Sequence, residues 1–117
     1  MATVTLTAEN FDEVAQSEGI VLVDFWADWC GPCKRFAPVF EKSAGMHEDI
    51  VFGKVDTEAE PVLSERFGIR SIPTLMAIRD GVIVFAEPGA LPEPVLENVI
   101  EQVRELDMED VRRRTES

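Results

Sequence analysis

Cys30 and Cys33 are the two cysteines of this chain, and Gly31 and Pro32 separate them. Two thiols at this spacing can close a small disulfide ring and open it again. Such a short loop contributes only about 2 kcal/mol by constraining the unfolded chain, less than the roughly 3 kcal/mol of a fifteen-residue loop. Gly31 lets the backbone pass close to the sulfur atoms, and Pro32 restricts the start of a following helix. The spacing therefore favours a redox role over a structural one.

The sequence places this pair where a strand passes into a helix. The nearly continuous apolar run 20–26 predicts a strand covered on both faces, and periodic apolar residues up to about Ala44 predict the helix. Cys30 then lies at the first helical turn, where free N–H groups and the helix dipole favour an anion. Because a thiolate is the nucleophile in disulfide exchange, we expect a lowered pKa for Cys30, with Cys33 facing inward and protonated.

Zinc binding and a structural disulfide are the alternatives for the pair. A structural zinc site needs four ligands, usually thiolates and imidazoles. The chain offers two cysteines and the distant His47, so zinc bound within the chain would need carboxylates or water. His47 lies in the segment 45–48 and is predicted to be an exposed loop residue. We therefore predict no metal site.

Asp24 is the second unusual position, because it interrupts the apolar strand 20–26. Burial of a lone carboxylate is costly and raises its pKa. A carboxyl group that titrates near neutral pH can take a proton from Cys33 and return it, which the second half of disulfide exchange requires. The alternative is a carboxylate paired with Lys54, which is itself out of place in an apolar strand. Both roles can hold together.

Size and charge limit the classes of function. A length of 117 residues predicts one domain with its own core. The chain carries 23 Asp and Glu against 11 Lys and Arg, a net charge of −12, so nucleic acid and anionic membranes are not expected as partners. No apolar run reaches the roughly 18 residues of a membrane span, and residues 1–20 do not resemble a signal peptide. We expect a monomeric protein in the cytoplasm. In that compartment a pair of cysteines at this spacing is more often catalytic than structural.

Apolar runs and turn residues along the chain predict the order β-α-β-α-β-α-β-β-α, a mixed sheet with helices on both sides. The predicted strands are 3–6, 20–26, 50–55, 74–78 and 82–86, and the predicted helices are 7–16, 30–44, 58–67 and one that opens at 91–92. Residues 107–117 form a polar tail, which is predicted to be a frayed extension of the last helix.

Local signals refine this order. Thr7 is the expected N-cap of the first helix, and Pro38 is expected to kink the second helix or remove one of its hydrogen bonds. The Asp-Gly pair at 80–81 predicts an antiparallel hairpin. Val95 is expected on the buried face of the last helix. For Pro73, sequence alone favours a trans peptide bond.

The chain closely resembles the thioredoxins over residues 3–106. The segments that carry the resemblance are Val21-Leu22-Val23-Asp24-Phe25-Trp26-Ala27, Trp29-Cys30-Gly31-Pro32-Cys33-Lys34 with Pro38, Lys54-Val55-Asp56, Ser71-Ile72-Pro73-Thr74 and Gly89-Ala90-Leu91. The resemblance implies the α/β thioredoxin fold, a central five-stranded mixed sheet flanked by four helices. We accordingly divide the chain into a domain of residues 1–106 and a C-terminal tail of residues 107–117.

The resemblance also implies roles for individual residues. Pro73 would be cis and face the cysteine pair. Cys30 would attack a target disulfide, and Cys33 would resolve the mixed disulfide. Asp24 and Lys54 would tune proton transfer. The implied target groove is shallow and mostly apolar, and it comprises Trp29, Gly31, Pro32, Ile72, Pro73, Gly89 and Ala90.

The implied chemistry needs no bound cofactor beyond the redox-active disulfide. The implied partners are disulfide-containing target proteins and thioredoxin reductase, a flavoprotein that returns the oxidised form to the dithiol with NADPH. Asp28 departs from the expected pattern, because its charge beside the nucleophile opposes thiolate formation unless solvent screens it.

Three functions are compatible with these residues. The leading one is a general protein-disulfide reductase, which serves electron transport and cell redox homeostasis. A disulfide oxidase or isomerase on the same fold is the second, and the Gly-Pro pair at 31–32 favours the reductase over it. The third is a non-catalytic binding, holdase or assembly subunit whose thiols are incidental.

Overall fold

Ten elements follow one another along residues 2–116, the part of the chain that this computed structural model describes. The strands are β1 (Thr3–Thr5), β2 (Ile20–Trp26), β3 (Val51–Asp56), β4 (Thr74–Arg79) and β5 (Val82–Pro88), and the helices are α1 (Phe11–Ala15), α2 (Gly31–Met46), α3 (Pro61–Arg66), α4 (Glu93–Glu105) and α5 (Met108–Glu116). The predicted order is confirmed, and α5 is added at its end. No described helix is long and apolar enough to cross a membrane.

The five strands form one mixed sheet in the order β1-β3-β2-β4-β5. β3 runs parallel to both β1 and β2, whereas β4 runs antiparallel to β2 and to β5. β2 is therefore the central strand, and its apolar run is covered on both faces as predicted. The Asp-Gly pair at 80–81 joins β4 and β5 as the expected hairpin, with positive φ at both residues.

Alternate residues of β2 enter two separate cores, because successive side chains of a strand point to opposite faces. Ile20 and Leu22 pack with α2 and α4, whereas Val21, Val23 and Phe25 pack with α1 and α3. Helices thus cover both faces, and the predicted α/β thioredoxin fold is confirmed. Asp24 points to the same face of β2 as Ile20 and Leu22, so its carboxyl group lies on the face of the sheet that α2 covers.

Two local predictions differ from the structure, and the prediction for Pro38 is met in one of its two forms. α1 begins at Phe11 instead of near Thr7, because the Asn10 side chain accepts a hydrogen bond from Thr7 N at 2.7 Å and donates to Thr5 O at 3.1 Å, which holds a turn before the helix. α2 continues unbroken through Pro38 as far as Met46; since proline has no N–H, one helical hydrogen bond is missing there, which is the second of the two predicted outcomes.

Val95 is the second difference, since 44% of its surface is exposed although it was expected on the buried face of α4. The buried stripe of α4 consists of Leu96, Val99, Ile100 and Val103.

The chain turns sharply between α4 and α5, so the predicted extension of the last helix is a separate helix and the predicted number of four helices is one too few. The Arg79 guanidinium, at the end of β4, donates to the carbonyl oxygens of Val103, Arg104 and Leu106 at 2.7–3.0 Å. These bonds satisfy carbonyl groups that a helix end leaves free. Asp107 Oδ1 then accepts from the backbone N–H groups of the first turn of α5.

Gly53 is required by the packing between β3 and the segment after β1. A side-chain carbon at this position would overlap the Cδ1 and Cγ atoms of Leu6, which is fully buried. We expect Gly53→Ala to lower the free energy of unfolding by about 2 kcal/mol, because Leu6 must leave its rotamer or the two segments must separate. Chemical denaturation measures this change.

Gly45→Ala is the matched control, because nothing lies within 4 Å of a carbon added at that helical position. Alanine is the better helix former, so this variant is expected to gain about 0.5–1 kcal/mol. If Gly53→Ala retains the stability of the parent protein, the contact with Leu6 does not limit this position.

Candidate active site

The cysteine pair lies at the junction of β2 and α2. Cys30 is the N-cap of α2 with extended backbone angles (φ −91°, ψ 112°), and its Sγ accepts a hydrogen bond from Cys33 N at 3.2 Å. The two cysteines are joined by a disulfide, and their Cα atoms lie 5.2 Å apart. This confirms the predicted position at the helix start. A thiolate formed at Cys30 would receive the same N–H bond and the positive end of the α2 dipole.

A short loop connects β2 to the nucleophile and is anchored at both ends. Thr57 donates to Trp26 O through its backbone N–H at 2.9 Å and through its hydroxyl at 3.0 Å. Cys30 N donates to Ala27 O at 3.2 Å. Sequence reasoning missed Thr57, because its role depends on the parallel register that places the end of β3 beside the end of β2.

Both cysteines are buried in a small cluster of their own with Ala27, against which Trp26 and Ile72 pack. Cys30 Sγ lies 3.7 Å from the carbonyl oxygen of Ile72. In the dithiol form, the Cys30 thiol can donate to this carbonyl group. The structure thus brings the segment before β4 into contact with the cysteine pair.

The Ile72–Pro73 peptide bond is cis. The trans bond favoured by sequence alone is wrong, and the cis bond implied by the family resemblance is confirmed. Trans is the default for any X–Pro bond, and no neighbouring residue in the sequence reports the tertiary contact with Cys30. Pro73 O accepts a hydrogen bond from Gly89 N at 2.8 Å, with Gly89 at φ +123°.

The residues predicted to form the target groove differ in exposure. Trp29 is 69% exposed, and Gly31, Pro32 and Gly89 are also exposed. Ile72 and Ala90 are half-buried, and Pro73 is buried. The contacts between Cys30 and Ile72 and between Pro73 and Gly89 place these two segments beside the disulfide. An exposed aromatic ring next to the disulfide offers apolar contact area to another polypeptide.

Asp24 is fully buried, and neither of its carboxylate oxygens has a hydrogen-bond partner among the described residues. Desolvation by burial raises the pKa of Asp24 from 3.8 to about 7, and the positive charge of Lys54 opposes part of this rise. The predicted burial and the predicted direction of the pKa shift are confirmed. The group titrates in the pH range in which a base for a cysteine thiol is most useful.

Lys54 lies directly beside Asp24 in the register of β2 and β3. Its ammonium group lies 5.3 Å from the centre of the Trp26 ring. Within the described part of the chain, the Asp24 carboxylate has no hydrogen-bond partner, so Lys54 forms no ion pair with it. The two groups are therefore electrostatically coupled but not in contact. An ion pair between Lys54 and Asp24, which the sequence allowed, would have held the pKa of Asp24 low.

A cavity of about 200 Å³ lies next to Cys33. Its walls are Trp26, Ala27, Asp28, Cys33, Lys34, Ala37 and Lys54. Asp28 and Lys34 are exposed at its rim, so the cavity gives water a route toward the Cys33 sulfur and the Lys54 ammonium group. Asp28 faces solvent, which screens its charge. Trp26 and Ala37 were not predicted as walls of this site.

His47 is not the exposed loop residue that was predicted. It is the C-cap of α2, with 20% of its side chain exposed, and its Nε2 lies 2.6 Å from Glu97 Oε1. Arg104 Nη2 lies 3.2 Å from His47 Nδ1, and Ser43 Oγ donates to Glu97 at 2.7 Å. These groups tie α2 to α4 far from the cysteines. The described residues contain no group of three or more His, Cys, Asp and Glu that could hold a metal.

A disulfide at a helix start, with a buried carboxyl group that titrates near neutrality in the strand leading to it, defines a thiol–disulfide oxidoreductase. Comparison with known proteins narrows this class. The sequence model of the thioredoxin family matches residues 2–102. The chain is 61% identical over 112 residues to a relative in Streptomyces coelicolor whose name places it among the thioredoxins, covering 96% of this chain and 84% of that protein.

Two further matches agree. The thioredoxin of Staphylococcus haemolyticus is 45% identical over 105 residues, which cover 87% of this chain and 98% of that protein. Among solved structures, a mutant thioredoxin from Halobacterium salinarum NRC-1 superposes with a TM-score of 0.81 at 35% identity and covers 89% of this chain and 91% of that one. The chain belongs to the thioredoxin family. It is a protein-disulfide reductase with Cys30 and Cys33 as its redox pair.

Proposed function

We propose that Cys30 is the attacking nucleophile and Cys33 the resolving thiol of this reductase. The Cys30 thiolate attacks one sulfur of a target disulfide, forms a mixed disulfide and releases the other target sulfur as a thiolate, which takes up a proton. Cys33 then loses its proton and attacks Cys30 Sγ, which releases the second target thiol. The target disulfide is reduced to two thiols while Cys30 and Cys33 are oxidised to a disulfide.

The observation that carries this order is the position of the two sulfur atoms relative to α2. The Cys30 sulfur stands at the N-cap and accepts the Cys33 N–H, so its anion is stabilised. Cys33 lies one turn further into α2, and both cysteines are buried, Cys30 at 4% and Cys33 at 3% exposed. Burial therefore does not distinguish the two sulfur atoms; the N–H bond that Cys30 Sγ accepts at the positive end of the α2 dipole does. The asymmetry supports attack by Cys30 and resolution by Cys33.

The proposed role of Asp24 is to accept the proton of Cys33 during resolution and to return it when the dithiol is regenerated. A pKa of about 7 supports both directions of transfer. Lys54 is proposed to tune this pKa through its positive charge, which favours the ionised form of Asp24. The cavity beside Cys33 also borders Lys54, the neighbour of Asp24 in the sheet, and this supports transfer through water.

The proposed target groove combines an exposed aromatic side chain with backbone groups. Trp29, Gly31 and Pro32 form the side of the groove that belongs to the active-site loop and α2. Ile72, Pro73, Gly89 and Ala90 form the other side. The contacts of Cys30 with Ile72 and of Pro73 with Gly89 support this arrangement. Because the surface is shallow and apolar, it suits many target proteins.

The electron donor and the cellular context are further parts of the proposal. Thioredoxin reductase would transfer two electrons from NADPH to the Cys30–Cys33 disulfide, and the protein would act as a monomer in the cytoplasm, in electron transport and redox homeostasis. Membership of the thioredoxin family supports this donor. The net charge of −12 supports the monomeric, soluble state, because molecules of this charge repel one another.

Reduction of insulin tests the proposal in two formats. With dithiothreitol as the donor, catalytic amounts of the protein are expected to accelerate the precipitation of reduced insulin chains. With NADPH and thioredoxin reductase, one NADPH should be oxidised for each insulin disulfide reduced. Cys30→Ser is the control and should be inactive in both formats. Activity with dithiothreitol alone would contradict the proposed donor, and inactivity in both formats would contradict the mechanism.

A further inference from the structure

Four cations of this acidic protein stand apart from the others. Most of the 11 lysines and arginines are engaged in ion pairs, in hydrogen bonds to carbonyl groups or over aromatic rings. Within residues 2–116, the cations for which no such interaction is found are Lys34, Arg35, Arg70 and Arg112. Three of these four lie at the end of the sheet that carries the disulfide.

Arg35 reaches back toward the start of α2. Its Nη1 atom lies 3.7 Å from the point where a side-chain carbon on Gly31 would stand. The guanidinium group therefore covers the residue that follows the nucleophile, on the side of the proposed groove formed by α2. Lys34, its neighbour, is exposed at the rim of the cavity beside Cys33.

Arg70 is exposed in the loop that leads from α3 to Pro73. It lines a hollow of about 270 Å³ whose other walls include Thr74, at the start of β4, and Pro88, at the end of β5. β4 and β3 lie on opposite sides of β2 in the sheet. Because the loop that contains Arg70 leads to β4, Arg70 belongs to the β4 side of the site.

Acidic residues occupy the opposite side. β3 ends at Asp56, and Asp56 Oδ1 accepts hydrogen bonds from the backbone N–H groups of Glu58 and Ala59. Glu58 is exposed in the same turn. Between this acidic turn and the disulfide, Lys34 and Lys54 share the cavity beside Cys33 with Asp28. Arg70 lies in the loop that contains Ile72, and Arg35 stands beside Gly31.

We propose that Arg35 and Arg70, assisted by Lys34, are specificity-determining residues that select polypeptide targets with Asp or Glu side chains next to their disulfide. This inference rests on the proposed function and names its substrate class. Arginine binds carboxylates through paired hydrogen bonds, and these guanidinium groups have no intramolecular partner among the described residues to compete for them. A target strand that enters beside Ile72 would meet Arg70 in the loop before Pro73 and Arg35 beside Gly31.

The negative charge of the whole molecule does not cancel this selection. At physiological salt, charges interact over about 8 Å, so a target segment in the groove experiences mainly the nearest groups. α5 and Arg112, which is beside Asp80, lie at the opposite end of the sheet. Charge complementarity of this kind chiefly raises the association rate and distinguishes partners from non-partners.

Three synthetic peptides with one disulfide test the selection, with Glu, Ser or Lys on both sides of each cysteine and all else equal. Each kcat/KM is divided by the rate of reduction of the same peptide by dithiothreitol, which removes intrinsic differences in reactivity. At about 0.15 M salt, where charges interact over about 8 Å, the Glu peptide should exceed the Lys peptide by about tenfold. At about 0.5 M salt the ratio should fall to within about twofold.

Two double variants that each remove two positive charges test whether the selection comes from the groove. Arg35→Gln with Arg70→Gln should lower the Glu-to-Lys ratio by about fivefold. Arg112→Gln with Arg113→Gln also removes two positive charges, but these lie on α5, with Arg112 beside Asp80 at the opposite end of the sheet, and should leave the ratio unchanged. A ratio near one in the parent protein, or an equal fall in both variants, overturns the selection while the reductase mechanism stands. Failure of the parent protein to reduce any of the three peptides overturns both the selection and the reductase mechanism.

Discussion

Cys33→Ser is expected to capture target proteins as stable mixed disulfides through Cys30, and its turnover should fall by at least about a thousandfold. The resolving attack within the chain is replaced by attack from a thiol in solution, which lacks the advantage of a fixed position close to the bond. Non-reducing electrophoresis and intact mass spectrometry measure the trapped adduct, and steady-state insulin reduction measures the loss of turnover.

Cys30→Ser is the matched control for this experiment, because it leaves the buried Cys33 as the single thiol. This variant should form no adduct, since Cys33 lacks the N-cap position that stabilises a thiolate at Cys30. Adducts formed by Cys30→Ser instead of Cys33→Ser would reverse the proposed order of attack. Full activity of Cys33→Ser would favour a binding subunit whose thiols are incidental.

Asp24→Asn is expected to stabilise the fold at pH 8 by about 2 kcal/mol. The pKa of Asp24 is about 7 in the folded protein and 3.8 in the unfolded chain, so the folded state binds the proton more tightly. This contribution to stability is fully present below pH 3.8 and is lost as the pH rises through 7, by about 4 kcal/mol in total. Asparagine removes the cost of the buried charge but leaves an unpaired amide, which offsets about half of the gain.

Urea denaturation between pH 4 and pH 8 measures this change. The parent protein should lose stability across that range, and Asp24→Asn should lose much less. Asp28→Asn is the matched control, because it removes an exposed carboxylate four residues away and should leave the slope unchanged. If Asp24→Asn lowers stability at pH 8, the buried carboxyl group has a stabilising partner that these contacts do not include.

The same substitution should reduce turnover by about a hundredfold near neutral pH, because general-base catalysis commonly contributes a factor of this size. The loss belongs to the step in which Cys33 is deprotonated, so the release of a pre-formed mixed disulfide should slow while its formation does not. Stopped-flow measurement of the two steps separates them. Turnover that is unchanged across pH 6–9 would remove Asp24 from the mechanism.

Sequence predicted the centre of this molecule well, because its signals are local. The run 20–26 is apolar throughout except at Asp24, and a strand with that pattern must be covered on both faces. The helix that follows begins at the cysteines, so the position of Cys30 at its N-cap could be predicted from the order of residues. The Asp-Gly turn at 80–81 predicted the hairpin for the same reason.

Features that depend on contacts between distant segments were not accessible from the residues. His47 was predicted to be a loop residue because Glu97, its partner at 2.6 Å, lies fifty positions away. The exposure of Val95 depends on how α4 rotates against the sheet, and helical periodicity defines a stripe only to within about one residue. The cis bond at Pro73 needed the family resemblance, since propensity alone favours trans.

The relation between Asp24 and Lys54 could be predicted from the sequence only in part. Each is an unusual residue in its own apolar strand, which pointed to both positions. Their adjacency follows from the register of β2 with β3, which places one directly beside the other. The absence of an ion pair among the described residues depends on the rotamer of Lys54 and its place over the Trp26 ring, and neither has a signature in the sequence.

The central place of β2 has a consequence for motion during the redox cycle. Hydrogen bonds hold this strand along both edges, and its residues 20–25 are buried. Amide hydrogens in such a strand exchange with solvent only when the whole domain unfolds, whereas turns open locally. The loop that carries the reactive sulfur is therefore joined to the strand whose amide hydrogens are expected to exchange most slowly, so local opening of turns elsewhere leaves its attachment to the sheet in place.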